Sequence, residues 1–119
     1  MALQDQQPMA LAGLKVLDLS RILAGPYATQ LFADLGADVV KVENPDGGDD
    51  TRRWGPPFTA KADGDRGDAA YFSACNRNKR SITVDFASKA GANLLRDLAA
   101  KADIIVENFR PGGLQKYRL

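Results

Sequence analysis

The segment Lys15-Val-Leu-Asp-Leu-Ser-Arg-Ile-Leu-Ala-Gly-Pro26, continuing through Tyr27 to Gly36 and on to Val39-Val-Lys-Val-Glu43, constrains the fold more than any other part of the chain. It reads as strand, tight turn, helix and strand, the unit with which open parallel sheets hold nucleotide-like ligands. The turn carries no Gly-x-Gly-x-x-Gly, and an acidic Glu43 after the second strand does not by itself restore a dinucleotide site. A nicotinamide-dependent oxidoreductase is therefore a distant reading.

The rest of the chain continues the alternation. In the first helix Ala28, Leu31, Phe32 and Leu35 fall at i, i+3, i+4 and i+7 and predict an apolar stripe facing the core, with Pro26 in the first turn and Gly36 at the end. Asn44 to Ala70, rich in Gly, Pro and Asp, reads as a long surface excursion, and a short apolar patch at Tyr71-Phe72 follows it. Ser81 to Asp85 predicts a third strand with Ile82 and Val84 on one face. Ser88 suits the N-cap of a second helix whose inner stripe is Gly91, Leu94, Leu95 and Leu98. Asp103 to Glu107 predicts a fourth strand, and its Ile-Ile-Val centre suits burial on both faces. A turn at Asn108 to Gly112 leads into the start of a helix over 113–119. The expected fold class is α/β, a Rossmann-like open, mostly parallel sheet with flanking helices. Residues 1–12 are expected to be a flexible lead-in, and 13–119 the domain.

Bulk properties narrow the chemistry. With 119 residues, 45% hydrophobic and 26% charged, one packed domain needs neither metal nor disulfide. Sixteen basic against 15 acidic residues give a net charge of +1, which offers no electrostatic case for nucleic acid or a membrane surface. The chain has no histidine, so Ser-His-Asp, Cys-His and His-metal arrangements cannot form within it, and no metal site is expected. Its single cysteine, Cys75, reads as a small buried residue in a reducing compartment. No apolar run approaches the roughly 20 residues that span a bilayer. The first ten residues have no basic region of a signal peptide, so a cytoplasmic location is expected.

In such sheets ligands sit beyond the carboxyl ends of the strands. Four turns should open on that edge: Ser20–Gly25, Asn44–Arg53, Phe86–Ser88 and Asn108–Gly112. Gly25 with Pro26 suits either a close backbone approach by an anion or simply a tight turn. Arg21, Arg52, Arg53, Arg77, Lys79, Arg80, Arg110 and Lys116 cluster around these turns. As a group they suit a multiply phosphorylated ligand, although each taken singly suits a surface ion pair. Trp54 could stack on a ligand or anchor its loop.

Several segments carry a resemblance in matching order: Val16 to Pro26, Leu35 to Glu43, Gly48-Asp-Asp-Thr-Arg52, Asn76-Arg-Asn-Lys-Arg-Ser81 and Val106-Glu-Asn-Phe-Arg-Pro-Gly112. Together they resemble the N-terminal region of the class III CoA-transferases, a family that includes formyl-CoA transferase, the carnitine and bile-acid CoA-transferases and α-methylacyl-CoA racemase. Gly48 to Phe58 is similar to the branch that moves CoA between dicarboxylic acids such as succinate and a hydroxymethylglutarate-like acceptor.

The resemblance implies a Rossmann-like domain for coenzyme A within an interlocked homodimer. It implies acyl-CoA and a carboxylic acid acceptor as substrates, with no tightly bound cofactor. Leu23 and Ala24 would lie against the CoA thiol arm. Asn44, Val84, Asp85, Phe86, Ala87, Asn108, Phe109, Arg110 and Lys116 would line the adenosine and phosphate portion. Leu23 stands where formyl-CoA transferase has glutamine, which argues against oxalate or formate chemistry, and Asn44 stands where it has arginine, which removes one phosphate contact. Family members use an aspartate nucleophile that takes the acyl group as a mixed anhydride and releases CoA thiolate. No aspartate here occupies its place, so no catalytic residue is assigned and the chain reads as a fragment of a longer enzyme. A racemase-like relative and a non-catalytic CoA-binding fragment are the alternatives.

Overall fold

The computed structural model describes residues 7–119. Its centre is a four-stranded parallel sheet made of β1 (Lys15–Asp18), β2 (Asp38–Glu43), β5 (Arg80–Thr83) and β6 (Ile104–Val106), in the order β5-β2-β1-β6. The register sets Val16 beside Val39 and Ile104, and Val42 beside Ile82. Because side chains alternate across a strand, Val16 and Val39 point to one face, and Leu17 and Val42 to the other. Helix α1 (Ala24–Asp34) covers the first face through Ala33 and Phe32, and helix α3 (Lys89–Ala99) covers the second through Leu95 and Leu98. The open parallel α/β sheet expected from the sequence is thus present.

Four details differ from the expectation. In α1, Leu31 and Leu35 are 46% and 49% exposed, and the buried positions are Gly25, Pro26, Thr29, Gln30 and Ala33. The inner side of this helix faces the polar end of β1 and a neighbouring helix as well as the sheet. Thr29 Oγ1 donates to Asp18 Oδ2 at 2.6 Å, and Gln30 Nε2 donates to the Ala74 carbonyl at 2.9 Å. In α3 the inner line runs through Gly91, Ala92, Leu95 and Leu98, leaving Leu94 exposed. Strand β6 is an edge strand, so Ile105 is 49% exposed and the two-sided burial expected of Ile-Ile-Val is not seen. Over 113–119 only a short 3-10 turn, Gln115–Tyr117, forms.

The excursion after β2 is more ordered than a surface loop. It contains a 3-10 turn at Asp50–Arg53, the antiparallel hairpin β3 (Phe58–Ala60) and β4 (Arg66–Ala69), and then α2 (Ala70–Asn76) at the apolar patch. Arg66 stacks over the Phe58 ring at 4.4 Å, and the hairpin closes through Lys61 N–H to the Asp65 carbonyl. Strands of three and four residues are too short for period-two alternation to show in sequence. Of the expected lead-in, residues 1–6 lie outside the described residues, while Leu11 packs on the α1 face and donates to the Leu35 carbonyl at 2.9 Å. No described helix is long and apolar enough to cross a membrane.

Candidate functional site

The carboxyl ends of β1, β2, β5 and β6 share one edge because all four strands run parallel. Below that edge lies a buried ionic lattice. Asp18 is inaccessible to solvent. It accepts from Ser20 N–H at 2.9 Å, from the hydroxyls of Ser20 and Thr29, and from Lys79 Nζ at 3.0 Å. Lys79 is held further by the Pro26 carbonyl at 2.8 Å and Asn76 Oδ1 at 2.9 Å. Burial pushes the Lys79 ammonium below the ordinary lysine range, and Asp18 pulls it partly back.

A second pair sits on the other side of the β1 turn. Lys41, 1% exposed, donates to Asp49 Oδ2 at 2.9 Å and to the Ser20 carbonyl at 3.0 Å. Glu43 then accepts from Asp49 N–H, Arg52 and Ser81 Oγ. Burial alone would raise its pKa, but the Arg52, Ser81 and Asp49 hydrogen bonds outweigh that and bring it to about 2. Asp49 is likewise lowered despite burial, by Thr51 and Lys41. Every buried side-chain polar atom among the described residues has a partner, as such a lattice requires.

On the α3 face of the sheet, opposite the lattice on the α1 face, a cleft of about 130 Å³ is lined by Leu19, Arg21, Val42, Asn44, Val84, Asp85, Phe86, Ala87, Phe109 and Tyr117. Its volume falls below the roughly 300 Å³ of a whole small-molecule pocket, so it suits one part of an extended ligand. Phe86 meets Phe109 and Tyr117 edge-on, with centroids 6.0 and 5.1 Å apart. Ser88 caps α3 by accepting from Gly91 N–H at 3.0 Å, which fixes the Asp85–Ala87 wall. A second cleft of about 430 Å³ adjoins it through Phe86, Ala87 and Tyr117, and contains Lys89, Arg96, Lys116 and Arg118.

The structure therefore gathers Asn44, Val84, Asp85, Phe86, Ala87 and Phe109 into one cleft, with Lys116 in the next. Leu23 is the N-cap of α1 and Ala24 its first residue, both exposed and two to three positions beyond Arg21. Asn108 lines neither cleft, its amide being occupied by the backbone of Arg21. Arg110 lines a separate depression with Glu107 and Leu114.

The expected cationic cluster is largely dispersed. Arg52 pairs with Glu43 and Asp68, Arg53 with Asp50, Arg77 with Asp34, Lys79 with Asp18, and Arg80 with Asp38. Arg80 opens β5 and so stands at the opposite edge. Of the eight, Arg21, Arg110 and Lys116 carry no ion pair among the described residues. Gly25 serves the tight turn, since a Cβ there would run into the Ser20 side chain. Trp54 lies edge-on to Tyr71 at 5.7 Å and is 49% exposed. Cys75 is buried, which pushes its thiol up, in keeping with an inert residue. No cluster able to hold a metal occurs among the described residues.

The sequence reading missed Asp18, Lys41 and Asp49. Two of them carried a signal, because a charge inside Val-Leu-Asp-Leu or Val-Val-Lys-Val needs a buried partner.

An open parallel sheet with a clamped first turn and a cleft near its carboxyl edge defines the class: an α/β domain of the kind whose ligands sit at that edge. The sequence profile of CoA-transferase family III matches residues 11–119, and the chain belongs to that family. It is 56% identical over 109 residues to the succinate–glutarate CoA-transferase of Agrobacterium fabrum, covering 92% of this chain and 27% of the relative. It is 49% identical over 104 residues to the human succinyl-CoA:glutarate CoA-transferase, covering 87% and 22%. A crystal structure of a CAIB/BAIF family protein from Brucella suis superimposes with a TM-score of 0.87 at 59% identity, over 95% of this chain and 29% of that one. The chain thus spans about a quarter of the length of the curated relatives it matches.

Proposed function

We propose that the chain is the N-terminal CoA-binding portion of a class III CoA-transferase, which moves CoA between an acyl-CoA thioester and a carboxylic acid. The carrying observation is the strand-end cleft formed by Val42, Asn44, Val84–Ala87 and Phe109 beside the β1 turn, in a chain of this family. The domain begins near residue 13. Leu23 and Ala24 meet the thiol arm. Asn44, Val84–Ala87 and Phe109 hold the adenosine, Lys116 reaches a phosphate, and Asn108 acts through the backbone of Arg21. Arg110 is the least favoured of the set, given its separate depression. Relatives named for succinate and glutarate point to a dicarboxylic acid as acceptor. The nucleophilic aspartate and a second subunit belong to the complete enzyme.

Isothermal calorimetry of the chain with coenzyme A tests the binding half. Heat with one-to-one stoichiometry is expected, and a folded chain giving none would refute it. For the complete protein, CoA transfer from succinyl-CoA to glutarate is expected, against no transfer to formate or oxalate.

A further inference from the structure

The turn from Ser20 to Leu23 is held at several points, though not at the Ile22–Leu23 peptide. Ser20 N–H donates to Asp18 Oδ1 at 2.9 Å, and its carbonyl accepts from Lys41 Nζ at 3.0 Å. The N–H and carbonyl of Arg21 both bond the Asn108 amide, at 2.9 and 2.7 Å. Ile22 N–H is aimed at the Asp49 carboxylate, 3.4 and 3.3 Å from its two oxygens. The Leu23 carbonyl accepts from Tyr27 N–H at 2.8 Å, opening α1. Within this turn Ile22 has φ 72°. A β-branched residue adopts that left-handed conformation only where its surroundings impose it.

Asp49 is the group that faces the strained peptide, and it is itself fixed by Lys41 and Thr51. Both members of the Lys41–Asp49 pair are buried to within 1% exposure. Fold stability alone does not explain two buried charges, because apolar residues of the same volume commonly serve as well or better. Besides capping the Asp50–Arg53 turn through Thr51, the pair holds one backbone conformation at the carboxyl edge, while the side chains of Arg21 and Leu23 stay exposed.

We propose that Lys41 and Asp49 are positioning residues, holding Ile22 left-handed so that Leu23 and Ala24 are set against the thiol arm of CoA. The inference rests on the CoA-binding reading above and adds to it a part played by residues that never touch the ligand.

The test compares the wild-type chain with Asp49→Asn and Ile22→Gly, by calorimetry against coenzyme A and against adenosine 3′,5′-bisphosphate, which lacks the pantetheine arm. Both variants should lose about five- to tenfold in CoA affinity, the scale of one or two side chains left to be ordered on binding. Affinity for the bisphosphate should not change. Glycine accepts φ 72° without strain, so Ile22→Gly should keep its circular dichroism spectrum and decides the matter if Asp49→Asn does not fold. Equal losses for both ligands would mean a merely structural role and overturn the proposal. Unchanged CoA affinity in Ile22→Gly would overturn it too, as would a wild-type chain that binds the bisphosphate as tightly as CoA. A wild-type chain that binds neither ligand would remove the CoA reading itself and this inference with it.

Discussion

At the scale of single residues, the chain places unusual weight on charges within its strands. Asp18 is the most demanding, since it has no solvent contact and is paired with Lys79. Lys79→Met should therefore cost about 3–5 kcal/mol in urea unfolding, because it strands a buried carboxylate. Adding Asp18→Asn should recover part of that loss, which a simple packing defect at position 79 would not allow. Glu43 predicts a pH dependence. Its folded pKa of about 2 lies below the ordinary 4.5, so between those values the unfolded chain binds a proton that the folded chain does not. Stability from this group is thus complete above about pH 5 and falls as the pH drops towards 2, by on the order of 2–3 kcal/mol. Unfolding measured from pH 6 to pH 2.5 should show this slope, and Glu43→Gln should flatten it.

At the scale of elements, what the sequence made legible was what long periodic segments carry. Four parallel strands, the capped α3 and the tight turn at Gly25 all follow from apolar runs, Ser88 and the strand-turn-helix spacing. The hairpin and α2 were hidden because Gly, Asp and Pro dominate a segment whose order comes from Arg66 on Phe58 and Arg52 on Phe72. The inner face of α1 was misjudged for a similar reason, since Thr29 and Gln30 point inward to satisfy Asp18 and the Ala74 carbonyl. At the site, motif resemblance named residues that the fold gathers into one cleft, whereas the ion pairing of the cations was not legible. A sequence does not show that Arg52, Arg77 and Arg80 already have carboxylates beside them. The wall also depends on Gly91, where an added Cβ would collide with the Asp85 carbonyl. Gly91→Ala should destabilise by about 1–3 kcal/mol and weaken CoA binding by shifting Asp85–Ala87, while Lys89→Ala on the exposed side should stay within about 0.5 kcal/mol.

At the scale of the whole molecule, several large apolar side chains are exposed among the described residues. Leu23, Tyr27, Leu31, Leu35, Leu94 and Ile105 are each 45–52% exposed. The radius of gyration is 16.1 Å, against about 13.5 Å for a compact domain of this length. Scattered apolar residues on a surface are ordinary. Ile105 differs because it lies on β6, whose outer side pairs with no other described strand, and an apolar sheet edge is a template for pairing with another chain. In the relatives, about three-quarters of the chain lies outside the matched region and is available to cover such an edge. Alone, the chain should associate through β6. Sedimentation velocity should show an average mass that rises with concentration, and Ile105→Lys should return it towards the monomer by charging the edge. Leu31→Glu, at an exposed position on α1 rather than on a strand, should not. If the two substitutions act alike, association runs through dispersed apolar contacts rather than through the sheet edge, and β6 loses its special place. A monomer at all concentrations would mean that the short edge strand, three residues long, is too brief to recruit a partner.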